Sequence, residues 1–286
     1  MVIWMNNTKS KKIGFVVKND DNAIKSSLIL EKWFNQRGIE IIRKKGLPIS
    51  EKSSETDFIC IFVLGGDGTF LSASRWAGIK PSPMIGVKFG EVGFLAEISE
   101  DQIFPAAEAI INGNFTVQHR IRLEITLVRN GKTIVSENVL NDMVINKRSL
   151  ARLARIKTIV NDFSLTTYTG DGLIIATPTG STAYSMAAGG PIIHPYVPCI
   201  IMTPICPFTL TNRPLILPEF SKIILEPEER SSELILTLDG QEGIDIMAGD
   251  LIYVEKAEYP VPMIMLSGND YFDVLKKKLR WSGGRI

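Results

Sequence analysis

The sequence predicts an α/β domain followed by a mainly antiparallel β domain, and three observations carry that expectation. Through residue 118, short apolar runs alternate with amphipathic helical segments, the pattern of a parallel sheet covered by helices. From about His119 the apolar period falls to two, with Ile121, Leu123, Ile125 and Leu127 alternating against Arg122, Glu124 and Thr126. Near the C-terminus, 270–279 returns to a helical period with Phe272, Val274, Leu275 and Leu279 on its apolar side. A sandwich has little use for a lone helix. The expected division is therefore an α/β domain over 1–118 with 265–286, and a β-sandwich domain over 119–264.

Taken in order, the first strand is expected at 12–18, and Asp20, Asp21 and Asn22 then start a helix. Ile24, Leu28, Trp33 and Phe34 give that helix an apolar side, and Gly38 is placed to end it. A strand at 40–43 follows. The apolar run 58–64 reads as a buried parallel strand, closed by Gly65-Gly66-Asp67-Gly68-Thr69 and followed by a helix over 70–77. After a strand at 84–87 comes Phe89-Gly90-Glu91-Val92-Gly93-Phe94-Leu95. Its glycines beside aromatics fit either a turn packed on the sheet or a pocket wall that admits a flat ring. Ser99 with Gln102 forms a capping box for a helix to about Asn112, with Pro105 in the first turn. In the second half, Asn130-Gly131 is the strongest short hairpin signal. Strands are expected at 133–139, 154–160, 164–168, 172–176, 222–226, 233–238 and 250–255.

Composition excludes several classes. With 286 residues and 45% hydrophobic content, the chain can bury two cores. A net charge of +1 gives no field of one sign, which speaks against nucleic acid as the main partner and not against a phosphorylated small molecule. Cys60, Cys199 and Cys206 are odd in number and lack metal-type spacing, so reduced thiols in a cytoplasmic protein are expected. The start lacks the order of a secretory signal and no apolar run approaches a membrane span, so no membrane partner is expected. There is no Gly-x-x-x-x-Gly-Lys-Ser/Thr, no Gly-x-Gly-x-x-Gly after the first strand, and no Gly-x-Ser-x-Gly elbow. His119 and His194 alone do not make a zinc site, and His194 reads as a hydrogen-bonder at a corner.

Three stretches carry candidate chemistry. At 65–69 the glycines let backbone N–H groups approach an anion, and the following helix points its positive end at the same place. Asp67 reads equally as a functional carboxylate, taking a proton or holding a metal, and as a capping Asp of a strand-to-helix turn. Asn141 and Asp142 place an amide and a carboxyl in an apolar strand, where they either satisfy local backbone or bind polar ligand atoms. The stretch 170–184 reads as a turn, a strand and a corner rich in hydroxyls before a small-residue helix. Such a corner suits a nucleobase and its ribose, or caps the helix with Ser and Thr.

In their order these motifs resemble those of the NAD kinases. The resemblance rests on Gly-Gly-Asp-Gly-Thr at 65–69, Gly-Phe-Leu at 93–95, Leu-Asn-Asp at 140–142 and Asp171-Gly172. It continues with Thr-Pro-Thr-Gly-Ser-Thr-Ala-Tyr at 177–184, Thr-Pro-Ile-Cys-Pro at 203–207 and Asp-Gly-Gln at 239–241. It runs from about residue 57 to the C-terminus. The first motif is shared with diacylglycerol and sphingosine kinases, whereas the 177–184 corner with Asn141 and Asp142 is far more specific.

The resemblance implies a Rossmann-like N-terminal α/β domain and a C-terminal antiparallel β-sandwich. It implies transfer of the terminal phosphoryl group of ATP, or of polyphosphate in some members, to the 2′-hydroxyl of the adenosine ribose of NAD. Mg²⁺ or another divalent cation would accompany ATP, with no protein side chain assigned to the metal. A homodimer or homotetramer with sites shared between subunits is implied as well. Carried over by position, Asp67 is the proton acceptor, and Gly65, Gly66, Gly68 and Thr69 line the donor phosphates. Asp67, Gly68 and Phe94 also meet NAD. Asn141 and Asp142 contact ribose and adenine, Arg152 is a basic contact, and Asp171 reaches the nicotinamide end, often from a neighbouring subunit. Thr179, Thr182, Ala183, Tyr184 and Ala187 match the adenine corner, and Gln241 a further contact. Three positions depart from the family's pattern: Asp142 stands where Glu is commoner, Thr169 where Arg often sits, and Phe208 where His is frequent. The alternatives are a lipid or sugar kinase using the same loop, or a non-catalytic dinucleotide sensor. The absence of a membrane-facing amphipathic helix and the 177–184 corner oppose the first, and Asp67 opposes the second.

Overall fold

Buried apolar runs and the helices between them build the first unit, Met1–His119 with Val261–Ile286; the second is Arg120–Pro260. The structure, a computed structural model, describes residues 2–3, 11–44, 56–89, 93–95, 98–148, 152–228, 233–241, 243–266 and 271–281. The chain begins with β1 (Val2–Ile3), β2 (Lys12–Val17), α1 (Asp21–Asn35), β3 (Glu40–Arg43) and β4 (Ile61–Leu64). Then come α2 (Asp67–Trp76), β5 (Met84–Lys88), β6 (Ile98–Ser99), a 3₁₀ turn (Glu100–Gln102), α3 (Ile103–Ile111) and β7 (Thr116–Arg120). The second unit holds β8 (Leu123–Arg129), β9 (Lys132–Val139), β10 (Asp142–Lys147), β11 (Ala154–Val160), β12 (Phe163–Gly170) and β13 (Gly172–Ala176). A 3₁₀ turn (Gly180–Thr182) and α4 (Tyr184–Ala187) lead to β14 (Cys199–Ile205), β15 (Leu215–Pro218) and β16 (Ile223–Pro227). After β17 (Leu234–Leu238), β18 (Ile244–Ile246) and β19 (Leu251–Lys256), β20 (Val261–Met265) and α5 (Tyr271–Leu279) return to the first unit.

In the first unit the strand order is β1-β7-β20-β5-β4-β2-β3, with β3, β2, β4, β5 and β20 mutually parallel. From β2 the chain steps to β3 on one side and then to β4 on the other. The carboxyl ends of β2 and β4 therefore form a topological switch point, where open α/β sheets bind ligands. The 65–69 loop follows β4 at that place. Beneath it, Phe15, Phe34 and Phe62 meet edge to face with ring centroids 5.6 to 6.2 Å apart, fixing α1 on the sheet. Asp20 caps α1 by accepting the N–H groups of Asn22 and Ala23 at 3.2 Å, and Gly38 ends the turn after it with φ 72°. Trp76 holds α2 against β2 at Gly14, where a Cβ would lie 3.1 Å from the indole.

Two six-stranded antiparallel sheets, β15-β14-β13-β10-β17-β18 and β12-β11-β16-β19-β8-β9, make the second unit a sandwich. Leu123, Ile125 and Leu127 of one sheet share a core with Met143, Ile145, Leu173 and Ile175 of the other. Asn130 and Gly131 take φ 49° and 73° in the β8–β9 hairpin, as the dipeptide predicts.

The expected strand list lacks β1, β6, β7, β14, β15, β18 and β20, and β14 and β20 show a physical reason. β14 is buried along its whole length because its outer face is also covered, with Ile201 and Ile205 packed beside Val144, Ile174 and Ala176. A strand buried on both faces shows no alternation to read. β20 likewise buries Val261, Met263 and Ile264, so the first unit begins again at 261 rather than 265.

Candidate functional site

Gly66, not Asp67, is the N-cap of α2. Asp67 is the first helical residue, and its side chain turns away from the helix. Its Oδ2 accepts the Phe94 N–H and its Oδ1 the Leu95 N–H, each at 3.0 Å. These two amides, 27 and 28 positions further along, fix the half-buried carboxylate and replace the capping role with an orienting one. Gly93 makes the arrangement sterically possible, since a Cβ built there overlaps the Asp67 carboxylate. The 93–95 segment is thus a brace for Asp67, a role that neither sequence reading of 89–95 gave it. Gly90, Glu91 and Val92 lie outside them.

The glycines of the loop divide by purpose. At Gly65 a Cβ would overlap the side chain of Thr69, so internal packing demands glycine there. Gly66 and Gly68 have nothing within 4 Å of a built Cβ, so packing does not require glycine at either position. The Thr69 and Phe70 N–H groups bond back to the Gly66 carbonyl at 3.0 and 3.1 Å.

In the second unit, Asp142 opens β10, with Asn141 just ahead of it, beside the corner that follows β13. Asp142 is 4% exposed, yet its carboxyl has no hydrogen-bond partner among the described residues. Burial, and then the charge of Asp239, push its pKa up to about 7. Backbone contacts hold the corner against Asn141: Thr177 N–H donates to the Asn141 carbonyl at 2.9 Å, and Thr177 Oγ1 donates to the Leu140 carbonyl at 2.6 Å. A Cβ at Gly180 would overlap the Asn141 carbonyl. Most of the corner's hydroxyls are consumed internally. Ser181 Oγ donates to the Pro178 carbonyl at 2.7 Å, Thr182 Oγ1 to that of Thr179 at 3.2 Å, and Ser185 shares a 2.8 Å bond with Thr203. The Thr179 hydroxyl has no hydrogen-bond partner among the described residues, and Tyr184 and Ala187 are exposed. The 3₁₀ turn delays the small helix to Tyr184, with Ala183 as its N-cap.

Gln241 lies in the turn after β17, its N–H on the Leu238 carbonyl at 3.0 Å and its Nε2 donating to the Asp239 carbonyl at 3.4 Å. Arg152 is exposed ahead of β11. His194 accepts the Tyr196 N–H on Nδ1 at 3.2 Å, the corner role expected of it. Asp171 stands apart. The register pairs Asp142 with Ala176 and Asn146 with Gly172, which puts Asp171 at the opposite end of the β10–β13 pair, roughly 17 Å from Asp142 along the strand. There it forms a 2.7 Å ion pair with Lys147. The two departures Thr169 and Phe208 meet at this far end, the Phe208 N–H donating to the Thr169 carbonyl at 2.8 Å with the ring exposed. Residues that the sequence showed only within motifs, with no role assigned, are Gly93 and Leu95, which brace Asp67, and Asp239, which accepts three amides at 140–142.

Comparison with known proteins gives a consistent set of relatives. A family model described as the ATP-NAD kinase N-terminal domain matches residues 47–115, and one described as the ATP-NAD kinase C-terminal domain matches 140–266. The chain is 47% identical to an NAD kinase of Desulfatibacillum aliphaticivorans over 283 residues, covering 96% of this chain and 100% of that one. It is also 47% identical to an NAD kinase of Geobacter sulfurreducens over 219 residues, 77% of each chain. Among solved structures, an Archaeoglobus fulgidus NAD kinase in complex with ATP superposes with TM-score 0.75 at 26% identity, covering 94% of this chain and 98% of that one. A yeast NADH kinase complexed with NADH shares the fold, with TM-score 0.87 at 24% identity over 98% of this chain and 90% of that one.

Proposed function

The chain belongs to the NAD kinase family, and from that premise we propose how its residues divide the work. The activity is phosphotransfer to an alcohol: the terminal phosphoryl group of ATP passes to the 2′-hydroxyl of the adenosine ribose of NAD. The ribose O–P bond forms as the bond between the γ-phosphorus and its bridging oxygen breaks, and the hydroxyl proton goes to the Asp67 carboxylate. A carboxylate is a weak base toward an alcohol, and the transition state is loose. Proton transfer is therefore late, and Asp67 contributes first by orienting the hydroxyl.

The observation that carries this assignment is the pair of 3.0 Å amide bonds on Asp67. They hold each oxygen in place while leaving each a further lone pair for the substrate. Gly65, Gly66, Gly68 and Thr69 line the donor phosphates, with the α2 N-terminus supplying positive potential. The open space at Gly66 and Gly68 supports that role. Asn141 and Asp142 take ribose hydroxyls, and the partnerless Asp142 carboxyl is the supporting feature. Phe94 and Gly68 contact NAD near Asp67, and Thr179, Thr182, Ala183, Tyr184 and Ala187 receive the adenine, with Gln241 and Arg152 as further contacts.

Mg²⁺ or another divalent cation accompanies ATP in this reading and neutralises phosphate charge. Among the described residues no three His, Cys, Asp or Glu side chains converge, and no side chain is assigned to the metal. A homo-oligomer is part of the proposal: Asp171 stands at the end of the β10–β13 pair away from Asp142 and would act on a neighbour's ligand. A cytoplasmic location is also proposed, supported by the unpaired state of Cys60, Cys199 and Cys206. No described helix is long and apolar enough to cross a membrane.

The test is a coupled assay of NADP formation by the purified chain with NAD, Mg²⁺ and ATP, run in parallel with polyphosphate. NADP production with ATP is expected; binding of NAD without turnover would instead support a sensor.

A further inference from the structure

Asp239 belongs to none of the roles assigned above, yet it organises the residues that have them. It sits in the turn between β17 and β18, where Asp239 and Gly240 hold φ 49° and 66°. Positive φ is uncommon for a residue with a side chain, and here it aims the carboxylate at the mouth of β10. That carboxylate accepts three consecutive N–H groups, from Leu140 at 3.0 Å, Asn141 at 2.8 Å and Asp142 at 3.2 Å. The Asp239 N–H returns a bond to the Asp142 carbonyl at 2.9 Å. An ionised carboxylate suits three donors, whereas an amide has one acceptor oxygen and would turn its NH₂ toward a donor.

Both acids are buried, Asp239 at 5% exposure and Asp142 at 4%. Asp239 is the charged group acting on Asp142 from the turn after the neighbouring strand β17. Arg122, just ahead of β8, is the cation coupled to Asp239; it is itself buried and gives its Nε and Nη2 to the Tyr259 carbonyl at 3.0 and 2.8 Å. Resting on the reading of Asp142 as a ribose ligand, we infer that Asp239 is the positioning residue of the nucleoside subsite, fixing the backbone at 140–142 and keeping a negative charge against Asp142. Ribose hydroxyls then compete with a proton for the Asp142 carboxyl. Uptake of the dinucleotide by the protonated form releases that proton to solvent. Because burial and Asp239 hold Asp142 up at about 7, the competition falls near neutrality.

Calorimetric titration of the wild-type chain with NAD at pH 6.5, in two buffers of different ionisation enthalpy, should show release of more than about half a proton per site. Binding without proton exchange overturns the inference. In Asp239→Asn, KM for NAD at pH 8 should rise about tenfold or more with a smaller effect on kcat, because backbone geometry is lost. The pH midpoint of KM should also move to lower pH by about one unit, because the neighbouring charge is gone. A lowered Tm with an unmoved midpoint would make Asp239 structural only and overturn the inference. If that variant does not fold, the wild-type calorimetry decides. Asp142→Asn separates the two readings. It should raise KM and abolish proton release; an unchanged KM retires Asp142 as ribose ligand, whereas a raised KM with an unmoved Asp239→Asn midpoint retires only the role of Asp239.

Discussion

In the first unit the Asp67 carboxylate is half-buried with both oxygens on backbone amides, and in the second the Asp142 carboxyl is more deeply buried with neither oxygen hydrogen-bonded among the described residues. The two acids come from the same residue type and differ in what the backbone does for them. Asp67 has its orientation set before any ligand arrives, which suits a group that acts on a reacting atom. Asp142 presents a carboxyl with no protein partner among the described residues, so a ligand's hydroxyls can take its hydrogen bonds. A group of the first kind should govern kcat, and a group of the second should govern binding and the pH dependence of stability.

The largest effect expected from that contrast is on turnover. Asp67→Asn should lower kcat by about 10³-fold while leaving NAD affinity within about tenfold, measured by steady-state assay and calorimetry. Weakened binding with kcat intact would erase the contrast. Next, Gly93→Ala must displace either the brace or the carboxylate, and a shift of this size should lower kcat about 10²-fold with KM for NAD little changed. Wild-type kcat in this variant would mean that the two amide bonds are incidental. On the other side, Asp142→Asn should raise KM for NAD about tenfold or more with a smaller change in kcat. A kcat defect larger than the KM defect would move Asp142 into the chemistry.

The smallest effect is on stability, and its sign is fixed by the direction of the shift. Asp142 is held at about 7 in the folded chain against 3.8 for the unperturbed group, so the folded state binds more protons between those values. Its contribution is full below about pH 4 and is lost as pH rises through about 7. Thermal melts of Asp142→Asn should therefore show a Tm a few degrees above wild type at pH 8 and little difference at pH 4. A variant less stable than wild type at pH 8 would show that the ionised carboxyl has a structural partner.

What the sequence revealed of these two regions follows the range of the contacts involved. The 65–69 loop was legible because its glycines and the buried strand before it are contiguous. The cap was not: Asp67 follows the usual pattern of a capping residue, and only the amides of Phe94 and Leu95 decide otherwise. Gly93 looked like turn chemistry, since its reason lies in a side chain 26 positions earlier. In the sandwich, period-two alternation exposed β8, where one face is covered, and was silent at β14, where both are. The hydroxyls at 177–185 advertised a polar surface, but those of Thr177, Ser181, Thr182 and Ser185 are turned onto the protein's own backbone and side chains. Asp239 showed only as part of a short motif because its three acceptor bonds span about a hundred positions of chain.

One strand has a consequence for how the protein is made. β20 lies inside the first sheet, between β7 and β5, but is separated from β7 in the chain by the whole sandwich. During synthesis the opening half leaves the ribosome with β5 paired to β6 at its carboxyl end but lacking β20 at Met84, an edge left partly uncovered until residue 265 has emerged. The sandwich, contiguous in the chain, can close first. Ordering of the Asp67 half is then the last step of assembly, and an enzyme truncated before 261 should expose a sticky edge rather than survive as an independent lobe.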